Sequence, residues 1–145
     1  MGRHVLVVED HETTRAVVES LLRANGYEVT GAPDAEQGLE ILARTPVDLV
    51  LLDMFLPKAS GIQFLMIRAQ RNVATNVPVI VMSGSDQLDS LKPQLNALGV
   101  GLTLRKPLDV EALLSAVKAQ TAPPSPAAPA KPPKIEKAKA RAKRR

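Results

Sequence analysis

Cysteine and tryptophan are absent from this chain of 145 residues, and Phe55, Phe64 and Tyr27 are its only aromatic side chains. Without thiols there is no disulfide, no thiolate zinc site and no cysteine nucleophile, a composition that fits a reducing cytoplasm. Without aromatic surface there is no broad platform for stacking bases or sugars. Long hydrophobic runs are missing as well: no apolar stretch approaches the roughly 20 residues that span a bilayer. The stretch behind Met1-Gly2-Arg3-His4 ends at Val8 against two acids, so it reads as a first strand rather than a secretion signal.

What the chain does have is aliphatic surface, with 45% apolar residues, enough to build the core of one ordinary domain. Its charge is unevenly divided. Of 19 basic and 15 acidic residues, eight basic and one acidic (Glu136) lie from Ala122 onward, so that segment carries +7 and the rest −3. Six of the 12 prolines lie there too, and Ile135 is its one large apolar residue. Such a segment buries too little to offset its ordering entropy and is expected to be disordered when free. The expected organisation is a domain over 1–121, a Pro/Ala-rich linker over 122–133, and a basic Lys/Arg/Ala tail over 134–145. The tail either solubilises the chain or makes a salt-sensitive contact through Lys134 to Arg145 with a polyanion such as nucleic acid or with an anionic membrane or acidic protein.

Ahead of the tail, short aliphatic runs alternate with longer amphipathic stretches. Five strands are predicted: His4 to Val8, Glu28 to Ala32, Asp48 to Leu52, Val79 to Met82 and Leu102 to Arg105. Apolar residues at helical spacing predict helices over Thr13 to Ala24 and Ala35 to Ala43, with Gly26 as C-cap of the first and Asp34 as N-cap of the second. Strand then helix, five times, with continuously apolar strands, implies a doubly wound parallel α/β sheet buried on both faces.

In such sheets the functional crevice lies beyond the carboxyl ends of the strands. The first strand delivers Glu9 and Asp10 there, the third Asp53, the fourth Ser83, and the fifth Lys106 followed by Pro107. Three acids converging on one edge call for a divalent cation. A strand-ending Asp alone is usually a turn or cap residue, a lone Ser a turn residue and a lone Lys a solvated one; the specific signal is the constellation. His4 and His11 lack a second ligand at metal spacing and read as incidental.

Val7-Val8-Glu9-Asp10, Leu51-Leu52-Asp53-Met54-Phe55-Leu56-Pro57 with Gly61, Val81-Met82-Ser83-Gly84 and Arg105-Lys106-Pro107 together resemble the receiver domain of bacterial two-component response regulators. The resemblance covers about Arg3 to Gln120. It implies a five-stranded flavodoxin-like sheet in the order 2-1-3-4-5 and a cis bond before Pro107. It further implies that Asp53 is the phosphoacceptor, taking a phosphoryl group from a histidine kinase or phosphotransfer protein. Mg²⁺ would be held by Asp10, Asp53, the Phe55 backbone carbonyl and, through water, Glu9. Lys106 and Ser83 would contact the phosphoryl oxygens, and Ser83, Thr103 and Pro107 would form the switch region.

Three departures stand out. Thr103 occupies the place of the aromatic residue that commonly partners the strand-four hydroxyl. Pro93 falls inside the predicted fourth helix, Asp86 to Leu98, and should make it start late, near Lys92, or kink. Ser60 stands where an acid often precedes the glycine. With no DNA-reading module after the receiver, the expected protein is a single-domain cytoplasmic regulator, not a metabolic enzyme. It signals through an unnamed downstream protein, and self-association through the fourth-helix face is left open. The alternatives are a degenerate receiver that binds partners regardless of phosphate and an aspartate-nucleophile phosphohydrolase. The latter family needs a second Asp two residues after the nucleophile, where this chain has Phe55.

Overall fold

The computed structural model describes residues 3–56, 60–84 and 88–121. The linker and tail expected over 122–133 and 134–145 lie outside these residues. Five strands, β1 (His4–Val8), β2 (Glu28–Ala32), β3 (Leu49–Asp53), β4 (Val79–Ser83) and β5 (Val100–Arg105), alternate with helices α1 (Glu12–Ala24), α2 (Ala35–Arg44), α3 (Gly61–Arg71), α4 (Leu88–Ala97) and α5 (Val110–Thr121). All strand pairs are parallel and the order is β2-β1-β3-β4-β5, as expected.

Alternation along the buried strands divides the core in two. Leu6, Val8, Val50, Leu52, Val79 and Val81 face α2, α3 and α4 through Leu39, Leu42, Phe64, Leu65, Leu88 and Leu95. Val5, Val7, Leu49, Leu51, Ile80 and Met82 face α1 and α5 through Val18, Leu22, Leu113 and Val117. Both sheet faces are thereby dry, and each fully buried aliphatic side chain contributes about 1.5–3 kcal/mol. This is why the runs read as continuous apolar sequence instead of alternating sequence.

Local chemistry sets the ends. Asp34 caps α2, its Oδ1 accepting from the Gln37 amide at 2.8 Å. Gly26 lies one residue beyond the C-cap of α1, which is Asn25; with φ of +93° it takes the left-handed position that suits glycine. Strand β3 starts one residue later than predicted because Asp48 is spent on the entry, accepting from the His4 amide at 2.9 Å. Strand β5 starts at Val100, two residues earlier than predicted: Gly99-Val100-Gly101 has little strand propensity, yet Val100 is buried and pairs with Val79.

Helix α4 is also a correction. Of the two expected effects of Pro93, the late start near Lys92 is the one overturned: the helix runs from Leu88 with Pro93 in its interior. Proline removes one donor, but Leu88 and Leu95 lie on one face two turns apart and both are buried, so packing holds the first turn. The Lys106–Pro107 bond is cis, as the resemblance implied.

Candidate functional site

The parallel sheet brings the ends of β1, β3, β4 and β5 to one edge. Asp53 is the last residue of the central strand β3 and pairs in register with Met82 of β4. It is only 5% exposed, and Glu9, just past β1, is 1% exposed. Asp10 is solvent-exposed, and ligand oxygens of Glu9, Asp10 and Asp53 lie within 4.8 Å of one another. Lys106, just past β5, reaches across from the other side. Its Nζ lies 2.7 Å from Glu9 Oε1 and 3.4 Å from Asp53 Oδ2.

Backbone donors finish the wiring. The His11 amide donates to Glu9 Oε2 at 3.1 Å, so both Glu9 oxygens are engaged. The Phe55 amide donates to Asp53 Oδ1 at 3.3 Å. The Asp10 side chain has no hydrogen-bond or ion-pair partner among the described residues. Ser83 closes β4, fully buried, and its carbonyl accepts from the Lys106 amide at 2.9 Å. Thr103 lies in β5 opposite Val81, half-buried.

The electrostatics follow from burial and crowding. Burial, followed by the neighbouring Glu9 charge, pushes Asp53 from 3.8 up to about 6, against the opposing pull of Lys106. Burial would raise Glu9 too, but the Lys106 hydrogen bond, the His11 amide and the Lys106 charge together hold it below its ordinary value. Burial would lower Lys106, yet its hydrogen bond to Glu9 and the charges of Asp53 and Glu9 keep it above the usual lysine value. One ammonium therefore faces three carboxylates, and the cluster still has excess negative charge for an oxygen-seeking divalent cation. The donor set is all oxygen, with Asp10 open to solvent, and so fits Mg²⁺.

The sequence-predicted residues Glu9, Asp10, Asp53, Ser83 and Lys106 thus meet at one edge. Sequence reasoning missed the supporting roles of five residues. His11 caps α1, accepting from the Thr14 amide at 3.3 Å through Nδ1, so it has a structural role after all; His4 bonds Thr30 Oγ1 at 2.7 Å. Ser60 and Gln63 form a capping box that starts α3, and the Ser-x-x-Gln spacing was there to find it. Arg15 donates to the Glu9 carbonyl at 2.8 Å, for which no sequence signal exists.

Gly61 has a steric role behind Asp53. Its amide donates to the Met54 carbonyl at 2.7 Å, and a Cβ placed on it would sit 3.0 Å from both Asp53 O and Met54 Cα. Backbone cannot yield as a side chain does. Gly61→Ala is therefore expected to displace the Asp53–Phe55 segment with the fold retained. Changed amide chemical shifts at 53–55 with an unchanged circular dichroism spectrum would check this.

The family model for the response regulator receiver domain matches residues 5–118. Among relatives, the sporulation initiation phosphotransferase F of Bacillus subtilis is 30% identical over 118 residues, covering 81% of this chain and 93% of its own. The uncharacterized transcriptional regulatory protein YkoG of the same organism is 34% identical over 118 residues, covering 80% of this chain but 50% of its own, so the chain spans about half the length of such longer regulators. A solved receiver domain of a Pseudomonas aeruginosa sensor histidine kinase, with magnesium coordinated in its active-site cleft, superposes with a TM-score of 0.72 at 29% identity, covering 85% of this chain and all of its own. Fold, strand order and these matches agree: the chain belongs to the response regulator receiver domain family.

Proposed function

We propose that Asp53 accepts a phosphoryl group from the phosphohistidine of a histidine kinase or phosphotransfer protein. The observation that carries this reading is Asp53 itself, buried beside Glu9 with Lys106 Nζ 3.4 Å from its Oδ2. A carboxylate oxygen attacks phosphorus, the P–N bond breaks with its electron pair going to the imidazole, and an acyl phosphate remains on Asp53. Asp10, Asp53 and the Phe55 carbonyl would hold Mg²⁺ directly. Glu9, both of whose oxygens are already engaged, would support the ion through water. When bound, the ion supplies positive charge against the acids and the phosphoryl oxygens.

Lys106 then exchanges part of its contact with Glu9 and Asp53 for the incoming phosphoryl oxygens, and the Ser83 hydroxyl donates to another. The transferred charge is read by a downstream protein. Thr103 gives this readout a form without the usual aromatic rotation, and the basic residues of 134–145 add a salt-sensitive contact with a polyanion. No described helix is long and apolar enough to cross a membrane. The reading is tested by incubating the protein with a small phosphodonor, with and without Mg²⁺, and measuring intact mass. A Mg²⁺-dependent phosphoryl adduct is expected; a folded protein that forms none would favour a phosphate-independent interaction module.

A further inference from the structure

Of the three clustered acids, Asp10 alone has no side-chain partner among the described residues, so its aim depends on the backbone that carries it. The Glu9–Asp10 peptide is gripped on one side. The Glu9 amide donates to Ala32 O at 3.0 Å inside the sheet, and the Glu9 carbonyl, directly before the Asp10 nitrogen, accepts from Arg15 Nη1 at 2.8 Å. Arg15 lies one turn into α1 and is itself held. Its Nε is 3.7 Å from Glu19 Oε2, Glu19 Oε1 is 3.4 Å from Arg23 Nη1, and Arg23 Nη2 donates to Val29 O of β2 at 3.1 Å.

We propose that Arg15 is a positioning residue for Asp10: its guanidinium fixes the carbonyl of the Glu9–Asp10 peptide, and the Glu19–Arg23 pair anchors the guanidinium against β2. A planar fork can serve a carbonyl and a carboxylate together, which the single ammonium of lysine does less well.

A second feature of the structure supports the same clamp. Gly31 of β2 leaves the space that the Glu19 carboxylate occupies. A Cβ built there would fall onto Glu19 Oε2, with Glu19 Cδ at 3.0 Å and Arg15 Cδ at 3.1 Å. A methyl group on Gly31 therefore displaces both members of the clamp, with no change of charge and no contact with the acids.

The proposal rests on Asp10 being a Mg²⁺ ligand, and its sign separates it from plain electrostatics. Removing a cation near the site should tighten Mg²⁺ binding if only charge matters. Loss of positioning should weaken it, as losing an outer hydrogen-bond partner of a ligand typically costs about 10-fold or more.

Mg²⁺ affinity would be measured calorimetrically on the full chain for wild type, Asp10→Asn, Arg15→Ala, Arg15→Lys and Gly31→Ala, with circular dichroism confirming the fold. Expected are loss of binding in Asp10→Asn, binding about 10-fold weaker in Arg15→Ala, partial recovery in Arg15→Lys and a smaller weakening in Gly31→Ala. Labelling rates of the Arg15 variants should return toward wild type at saturating Mg²⁺. If Asp10→Asn loses binding while Arg15→Ala binds as tightly as wild type or more so, the clamp is overturned and the ligand reading stands. If Asp10→Asn binds normally, or wild type does not bind, the ligand reading falls and the clamp with it. Should Arg15→Ala fail to fold, unchanged affinity in both Arg15→Lys and Gly31→Ala overturns the proposal.

Discussion

Asp53→Asn is expected to abolish phosphoryl labelling and, in the absence of divalent cation, to make the protein more stable near neutral pH. The first effect follows from losing the carboxylate proposed to accept the phosphoryl group. The second follows from the environment that prepares it. Asp53 titrates at about 6 in the folded chain against an ordinary 3.8, because it is buried beside Glu9. The native state therefore binds this proton more tightly than the unfolded chain does. Its contribution is fully present below 3.8 and is lost as pH rises from there through about 6. Above that range the ionised carboxylate opposes folding, by roughly 2–3 kcal/mol for a shift of about two units. An amide has no such charge. Thermal melts in chelator should put Asp53→Asn several degrees above wild type near pH 7.5, with the gap narrowing below pH 6. Excess Mg²⁺ should shift the comparison toward wild type, which binds it better. A variant that is labelled, or no more stable in chelator at neutral pH, would contradict this account of Asp53.

Lys106→Ala is expected to destabilise the cation-free protein by roughly 2–4 kcal/mol near neutral pH. Lys106 is one quarter exposed, but its partner Glu9 is 1% exposed and gets from it a 2.7 Å charge-assisted hydrogen bond. Removing the ammonium leaves a buried carboxylate with the His11 amide as its remaining hydrogen-bond donor among the described residues. The sign against pH is opposite to that of Asp53. Glu9 is held below its ordinary 4.5 when folded, so its stabilising pairing exists above 4.5 and is lost as pH falls below it. The penalty of Lys106→Ala should therefore fade in acid, where Glu9 is protonated. Adding Glu9→Gln to Lys106→Ala should recover much of the loss, since the uncompensated charge is then gone. A double-mutant cycle by urea unfolding would measure it, and additive effects of the two changes would refute the pairing.

Much of the site was legible because strand ends in a parallel sheet are written in the chain as the places where aliphatic runs stop. Val8 to Glu9, Leu52 to Asp53, Met82 to Ser83 and Leu104 to Arg105, one residue before Lys106, mark those stops without any knowledge of tertiary structure. What stayed hidden depends on packing and distance. The Glu9–Lys106 bond joins residues 97 apart, and only the folded sheet makes them neighbours. The start of β5 was missed because the pairing of Val100 with Val79 outweighs the poor strand propensity of its glycine neighbours. The start of α4 was misplaced because Pro93 was weighed against local helix formation, without the burial of Leu88 and Leu95. Arg15 gave no sign because its acceptor is a backbone carbonyl, which every residue carries.

The Glu9–Lys106 bond also has a consequence for the order in which the chain takes shape. Glu9, Asp10 and Asp53 all leave the ribosome before Lys106. A nascent chain that pairs β1 with β3 thus gathers three acids before the ammonium that contacts Glu9 and Asp53 has been made. Ordering of that edge should wait for the last strand, a contact of long sequence separation that slows folding. Lys106 is then the late-arriving clasp of the first half of the sheet.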